Sequence, residues 1–344
     1  MEIKNARILG IESSCDETAA AVITGGRVIE SNVIASQVDL HAHFGGVFPE
    51  VASREHVKVI QAVVEEALQK SHLSLAEMDA IAVTRGPGLA GSLVIGVNMA
   101  KALALAADLP LIPVNHLEGH IYSSWLYQAG SQPPPEPKFP LLALLVSGGH
   151  SELILMGDHL AYKRLGGTLD DAAGEAFDKV ARLLDLPYPG GPSIQSAAHD
   201  GNPKAFNFPR ARLGETWNFS FSGLKTSVLR TIEDLQHQNK TLPVADLAAS
   251  FQAAVVDALF EKTMAAAEEF NVKEIIVAGG VSANKALRSA FKEQKGWHVH
   301  IPPLALCTDN AAMIAAAGYY HLENGEVSDL SFDVLPTWPL SYQG

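Results

Sequence analysis

At 344 residues the chain is longer than one hydrophobic core commonly serves, which predicts two lobes of ordinary size. Its 47% hydrophobic and 18% charged residues read as a well-buried soluble globule, and its net charge of −13 excludes a protein that holds nucleic acid over its whole surface, leaving room only for a local patch. Two cysteines, Cys15 and Cys307, without a C-x-x-C pair exclude a thiolate zinc cluster and fit a reducing compartment.

No stretch reaches the roughly 18 uninterrupted apolar residues of a membrane span, because Asn98 and Lys101 break the longest run. The N-terminus opens on a strand rather than on a charged-then-apolar signal, so a cytoplasmic location and no membrane partner are expected.

Residues 7–34 alternate strands and turns: Arg7 to Ile11, the polar turn from Glu12 to Glu17, Thr18 to Thr24, Gly25-Gly26, and Arg27 to Ile34. This is an antiparallel meander whose first turn is dense in hydroxyls and carboxylates. A Gly/Pro loop over 41–50 leads to a helix predicted from Ser53, with apolar residues at Val57, Ile60, Val63, Val64, Ala67 and Leu68. Asp79 to Thr84 is a strand that runs through the glycine-rich turn Arg85 to Gly91 into a helix over 92–107. Such a turn can offer backbone N–H groups to an anion. It has neither G-x-G-x-x-G nor a Gly-Lys-Ser/Thr ending, so neither a dinucleotide site nor a P-loop is supported.

After the apolar run Leu111 to Val114 comes Asn115-His116-Leu117-Glu118-Gly119-His120. On a helix, residues four apart are rotated by only about 40° net, so both imidazoles reach one divalent ion while Glu118 points away. In H-E-x-x-H and H-x-x-E-H metalloprotease motifs the glutamate stays on the metal face. The pair alone leaves two readings open, a metal site or two ordinary surface or cap histidines.

The proline-rich stretch 131–140 reads as a lobe connection or a stiff surface loop. The pattern then repeats. Leu141 to Val146, the turn Ser147 to His150, Ser151 to Met156 and Leu160 to Leu165 form a second meander, and Glu274 to Ala278, Gly279 to Asn284 and Lys285 to Phe291 form a second strand, glycine turn and helix. A duplicated unit predicts two similar α/β lobes whose facing turns line a cleft. The lobes are placed at 1–132, with 310–344 packing back on it, and at 133–309.

Three further segments carry chemistry. Asp170, Asp171 and Glu175 are expected in the first turn of a helix through Leu184, with Asp178 deeper in it and available to a ligand hydroxyl, and 187–192 is read as a turn. Lys204, Arg210, Arg212, Lys225 and Arg230 against Glu215 give residues 204–230 a net +4, interleaved with Phe206, Phe208, Trp217, Phe219 and Phe221. This segment either stacks bases and holds phosphates or anchors a long loop. Lastly, Thr308 or Asp309 caps the helix from Ala311, or Asp309 completes a His₂Asp facial set with His116 and His120, a donor set suited to Fe(II).

Eight motifs together closely resemble the bacterial TsaD (YgjD/Gcp) family: I-E-S-S-C-D-E-T at 11–18, G-G-V-F-P-E-V-A-S-R-E-H at 45–56, H-L-E-G-H at 116–120, L-V-S-G-G-H at 145–150, D-D-A-A-G-E-A-F-D-K at 170–179, F-S-F-S-G-L-K-T at 219–226, A-G-G-V-S-A-N at 278–284 and C-T-D-N at 307–310. The resemblance implies an actin/Hsp70/sugar-kinase-like (ASKHA) fold of two lobes. It implies a transferase that moves the threonylcarbamoyl group of threonylcarbamoyl-AMP onto N6 of adenosine 37 in tRNAs reading codons that begin with A, with TsaB, an inactive paralogue, and TsaE, an ATPase, as partners. By position, His116, His120 and Asp309 resemble ligands of one divalent ion, Fe(II) foremost, with Zn(II) or Mg(II) as alternatives. Leu145, Val146, Ser147, Gly148, Gly149, Asp178, Gly191 and Asn284 resemble the adenylate contacts, and Asp16 and Glu17 the acidic pair near the reacting end. Some relatives carry an acidic residue near the ribose where this chain has Gln195. The rivals are a small-molecule kinase on the same fold and, less favoured by the placement of Glu118, a metalloprotease.

Overall fold

The computed structural model describes residues 3–211, 214 and 216–340. The chain divides into two compact units, Met1–Pro137 with Pro302–Gly344, and Lys138–Ile301.

The first unit is built on a six-stranded sheet in the order β5-β4-β1-β2-β3-β6. Its strands are β1 (Arg7–Glu12), β2 (Glu17–Thr24), β3 (Val28–Ser36), β4 (Ala80–Gly86), β5 (Leu111–Asn115) and β6 (Tyr127–Gln128). The first three form the antiparallel meander, and β4 and β5 extend it in parallel from β1. Both faces of β1 and β2 are covered, which explains why they read as continuous apolar runs rather than as alternation.

A short α1 (Val38–Ala42) precedes α2 (Pro49–Ser71), which starts four residues before the predicted Ser53 because Pro49 sits in the first helical turn, after an extended Phe48. One face of α2, through Ile60, Val63, Val64 and Ala67, packs on the sheet together with α3 (Ala90–Ala107). Among the described residues α3 is the one helix long and apolar enough to cross a membrane by length and composition. Its Leu93, Val97, Ala100 and Ala104 are buried, and it packs on α2 and β4.

α4 (His116–Tyr122) follows β5 directly and is buried along its whole length. From beyond the second unit, α10 (Ala311–Glu323) returns to lie on β1, β2, β4 and β5 and against α4. Its small residues permit that approach. A Cβ at Gly10 would stand 2.3 Å from the Ala311 carbonyl oxygen, and one at Gly318 would stand 2.4 Å from Ala82 Cβ.

The second unit repeats the topology. Its sheet runs β11-β10-β7-β8-β9, with β7 (Leu141–Val146), β8 (Ser151–Asp158) and β9 (Ala161–Gly167) as the meander and β10 (Glu274–Ala278) and β11 (His298–His300) parallel to β7. Five strands thus recur in the order of the first sheet, so the duplication read from sequence is a duplication of fold.

α5 (Ala173–Leu183), α6 (Gly190–Ala197), α7 (Ser222–His237), α8 (Val244–Glu269) and α9 (Lys285–Glu293) complete this unit. Phe177, Phe251 and Phe291 lie in its core with Val180, Leu247 and Val277.

Two local expectations give way here. Asp170 and Asp171 precede α5 rather than occupying its first turn. Asp170 Oδ1 instead accepts from Phe221 N at 2.8 Å and Ser222 N at 3.3 Å, so it serves the start of α7, and Asp171 pairs with Lys179 at 2.6 Å. Residues 187–192 are not all turn, since α6 begins at Gly190, whose N–H donates to Asp178 Oδ1 at 2.7 Å.

Candidate functional site

The sequence from β5 into α4 is a self-contained device for presenting two histidines. Asn115 Oδ1 accepts from Leu117 N at 2.9 Å, and Glu118 Oε2 reaches back to Asn115 N at 3.3 Å, a capping box worth roughly 1 kcal/mol to the start of the helix. His116 and His120 then emerge on one face with ring centroids 4.7 Å apart. Glu118 leaves by another face, where its Oε2 accepts from His321 Nε2 of α10 at 3.0 Å.

The third member arrives from the start of α10. Neither Thr308 nor Asp309 caps that helix. Asn310 does, its Oδ1 accepting from Met313 N at 3.1 Å. Because Asn310 takes the cap, the Asp309 carboxylate is free to face the histidines, with Oδ1 3.2 Å from His120 Nε2 and 3.5 Å from His116 Nε2. One donor atom from each of His116, His120 and Asp309 lies within 4.8 Å of the other two.

This set fits a divalent cation. Both ring nitrogens of His120 are buried and make no hydrogen bond. Its Nε2 has the Asp309 carboxylate 3.2 Å away but no hydrogen bond to it, and a cation held by both would satisfy that buried nitrogen. The surroundings are also rich in carboxylate. Glu12, Asp16 and Glu17 flank the triad on the β1 to β2 turn, and their fields act on its members or on one another.

Electrostatics follow from that crowding. Burial resists ionisation of Asp309, but His116 and His120 outweigh it and hold its carboxyl well below the usual range. Burial likewise resists the His116 imidazolium, yet Asp309 and Glu12 raise it well above the ordinary histidine value. Burial, then the fields of Asp309 and Asp16, push Glu17 up to about 9, so in the metal-free protein it is a neutral acid at pH 7. Burial also pushes the Cys15 thiol far up, and Cys307 is buried against the carbonyls of Pro302 and Pro303, so neither cysteine is a nucleophile here.

The turn bearing Asp16 and Glu17 is braced from α2. His56 Nδ1 accepts from Thr18 Oγ1 at 2.7 Å and its Nε2 donates to the Cys15 carbonyl at 3.0 Å. The glycine-rich turn after β4 was expected to offer its amides to an anion. Two of them are already engaged, Leu89 N by the Ser14 carbonyl at 2.8 Å and Gly88 N by the Pro336 carbonyl at 3.1 Å. The C-terminal segment over 332–338, which has no readable chemistry in sequence, thus packs the loop beside the site.

The predicted adenylate contacts all lie in the second unit, where Leu145 to Gly149 and Asn284 lie at or just beyond the C-terminal ends of β7 and β10, the end at which open α/β sheets bind ligands, and Asp178 and Gly191 lie in α5 and α6. Leu145 and Val146 bury their side chains in β7, so only their main chain is available to a ligand. Ser147 closes the following turn by donating its N–H to the His150 carbonyl at 2.8 Å, and a Cβ at Gly148 or Gly149 would meet nothing within 4 Å. Asn284 caps α9 by accepting from Leu287 N at 3.1 Å and donates to Gln252 at 2.8 Å. Gln195 Oε1 accepts from Lys285 N at 2.6 Å, an occupation that suits an amide. Gly191 opens onto free space, whereas a Cβ at Gly190 would strike Asp178 at 2.5 Å.

In the basic and aromatic segment, three phenylalanines and one arginine are engaged within the protein. Phe208, Phe219 and Phe221 are buried in the core, and Arg210 binds Asp257 Oδ2 through Nε and Nη2 at 3.1 and 2.7 Å. Arg212 and Glu215 lie outside the described residues. Sequence reading passed over Glu12, which is fully buried with Oε2 3.0 Å from His116 Nδ1. The available signal was a carboxylate ending an otherwise apolar strand.

Comparison with known proteins agrees with this arrangement. Residues 28–316 match the model of the family described as TsaD, tRNA N6-adenosine threonylcarbamoyltransferase. A protein of that name from Thermomicrobium roseum is 55% identical over 97% of this chain and 96% of its own length, and one from Dehalococcoides mccartyi strain CBDB1 is 53% identical over 96% and 98%. Among solved structures, HypF of T. kodakarensis aligns with a TM-score of 0.62 at 17% identity over 93% of this chain and 48% of its own. Component A of the Acidaminococcus fermentans (R)-2-hydroxyglutaryl-CoA dehydratase aligns at 0.52 and 14% identity, over 92% and 99%. The two structural likenesses support the duplicated ASKHA-like fold. With the sequence matches running nearly end to end across the motifs just described, the chain belongs to the TsaD family of tRNA N6-adenosine threonylcarbamoyltransferases.

Proposed function

We propose that this protein transfers the threonylcarbamoyl group from threonylcarbamoyl-AMP to N6 of adenosine 37 in tRNAs reading codons that begin with A. The observation that carries the reading is the convergence of His116, His120 and Asp309 in a member of this family. A divalent ion held by these three residues, Fe(II) by donor preference, would act as a Lewis acid on the carbonyl under attack.

The remaining chemistry falls to the chain itself. The N6 amine attacks the carbamoyl carbon, the bond from that carbon to the phosphate oxygen of AMP breaks, and the amine loses a proton. Asp16 accepts or orients that amine hydrogen, and Glu17, when neutral, donates a hydrogen bond to developing negative charge. The turn over 147–149, with Asp178, Gly191 and Asn284, holds the adenylate. Within the turn, Gly148 and Gly149 offer main-chain N–H groups with no side chains to obstruct them. The target base leaves the anticodon stack to react. TsaB and TsaE are the expected partners, and the net charge of −13 favours sharing the tRNA with them in the cytoplasm.

A protease reading has no support in Glu118, which is bound to His321 on another face of α4. The deciding experiment is reconstitution with threonylcarbamoyl-AMP, TsaB, TsaE and unmodified tRNA, followed by nucleoside mass analysis. Threonylcarbamoyladenosine is expected. Its absence with every component present and folded overturns the proposal.

A further inference from the structure

We infer that Glu12 is the positioning residue of this centre, fixing which nitrogen of His116 faces the cation. The inference rests on the metal reading of His116, His120 and Asp309 given above.

Glu12 ends β1 with no exposed surface, a place where a carboxylate persists only if its oxygens are satisfied. They are, from three directions. Oε1 accepts from Ser14 N at 2.5 Å, while Oε2 accepts from Thr84 Oγ1 of the adjacent strand β4 at 2.5 Å and from His116 Nδ1 at 3.0 Å. Ser14 Oγ stands 3.2 Å from the same ring nitrogen.

A carboxylate can only accept, so Nδ1 must carry a proton, and once the ring gives up its other proton to act as a ligand the lone pair belongs to Nε2, the nitrogen turned toward Asp309. Carboxylate, imidazole and cation would form a line in which the carboxylate raises the basicity of the ligand and locks its ring. Glu12 is not a further ligand, because both its oxygens are committed elsewhere and it is outside the converging donor set. His120 has no equivalent support, both its nitrogens lacking a hydrogen bond. The orientation of the pair therefore depends on the Glu12 side.

The test uses full-length protein stripped of metal, with Glu12→Ala, Glu12→Gln and Thr84→Val, the last acting on His116 only through Glu12. Zn(II) affinity is measured by competition with a chromophoric chelator, and the protonated ring nitrogen of His116 is assigned by ¹⁵N NMR of the Zn(II)-loaded protein. Wild type should show His116 protonated at Nδ1 and bound through Nε2. Glu12→Ala should weaken Zn(II) about ten- to a hundredfold, with Glu12→Gln and Thr84→Val between it and wild type. A merely structural Glu12 would lower the melting temperature yet leave the affinity of the folded protein and the ring assignment unchanged, and that result overturns the inference. If Glu12→Ala does not fold, the other two variants decide by the same criteria. Wild type that binds no divalent ion overturns the metal reading itself, an outcome distinct from failure of the Glu12 role.

Discussion

Glu118 sits between His116 and His120 in sequence, yet its carboxylate binds His321 Nε2 at 3.0 Å and helps cap its own helix through Asn115 N. Its work is therefore to fasten α4, which carries His116 and His120, to α10, the helix that Asp309 immediately precedes. Glu118→Ala should retain one bound divalent ion per chain while unfolding at lower temperature, by about 1–3 kcal/mol, since it leaves Nε2 of the half-buried His321 without its partner. His116→Ala and Asp309→Ala should instead lose the ion. Metal analysis of the purified variants checks both, and a Glu118→Ala protein free of metal would contradict the assignment.

The same pair sets a pH dependence. Burial works against the His321 imidazolium, but its bonds to Glu118 and Glu326 prevail and push it up to about 9. A group whose folded value is raised contributes fully below its unfolded value near 6.5 and loses that contribution as pH rises through 9. The stability difference between wild type and His321→Gln should thus be largest at pH 6, up to about 3 kcal/mol, and shrink toward pH 9.5. Urea titrations at several pH values measure it, and a constant difference would show that folding does not raise His321 above its unfolded value.

Much of this was legible in the chain because it rests on local rules. The two meanders, the strand and glycine turn steps and the duplication follow from runs of apolar residues punctuated by glycine, and the opposed faces of Glu118 and the histidines follow from helical geometry alone. What stayed hidden depends on partners far away in sequence. Asp170 reads as a first-turn carboxylate of the next helix but serves α7 some fifty positions on. Glu12 lies 104 residues from His116. The cap at α10 is Asn310 rather than Thr308 or Asp309, because three adjacent residues all have cap chemistry and local pattern does not choose among them.

Removing the metal should expose the carboxylate crowding. Glu17 is pushed up to about 9 by burial and by Asp309 and Asp16. The folded state therefore favours its neutral form, and stability present below about pH 4.5 is lost as pH rises toward 9. Glu17→Gln should accordingly stabilise the metal-free protein at pH 7.5, by up to about 4 kcal/mol, and less so when a divalent ion neutralises Asp309. Thermal melts with and without chelator test this. Equal effects in both states would mean that Asp309 is not the source of the push.

Arg210 offers a check on where tRNA does not bind. Its guanidinium is committed to Asp257 and to the Phe208 carbonyl at 2.8 Å. Arg210→Ala should cost up to about 1 kcal/mol of stability and leave both tRNA affinity and its salt slope as in wild type. A slope lower by about one would show that Arg210 abandons Asp257 for a phosphate.

Two adjacent glycines separate packing from ligand binding. A Cβ at Gly190 would lie 2.5 Å from Asp178 Cα and 2.6 Å from the Phe177 carbonyl oxygen, both backbone atoms of α5 that have no room to yield. Gly190→Ala should therefore part α6 from α5 and destabilise the fold by a few kcal/mol, about the cost of overpacking a core. At Gly191 a Cβ meets nothing within 4 Å, and alanine restricts the unfolded chain, so Gly191→Ala should melt at or slightly above the wild-type temperature. If the adenylate passes over this turn, that same variant should bind threonylcarbamoyl-AMP at least tenfold more weakly despite its intact fold. Calorimetric titration with a non-hydrolysable analogue reads the affinity, and a stable Gly191→Ala protein with wild-type affinity would remove Gly191 from the donor site.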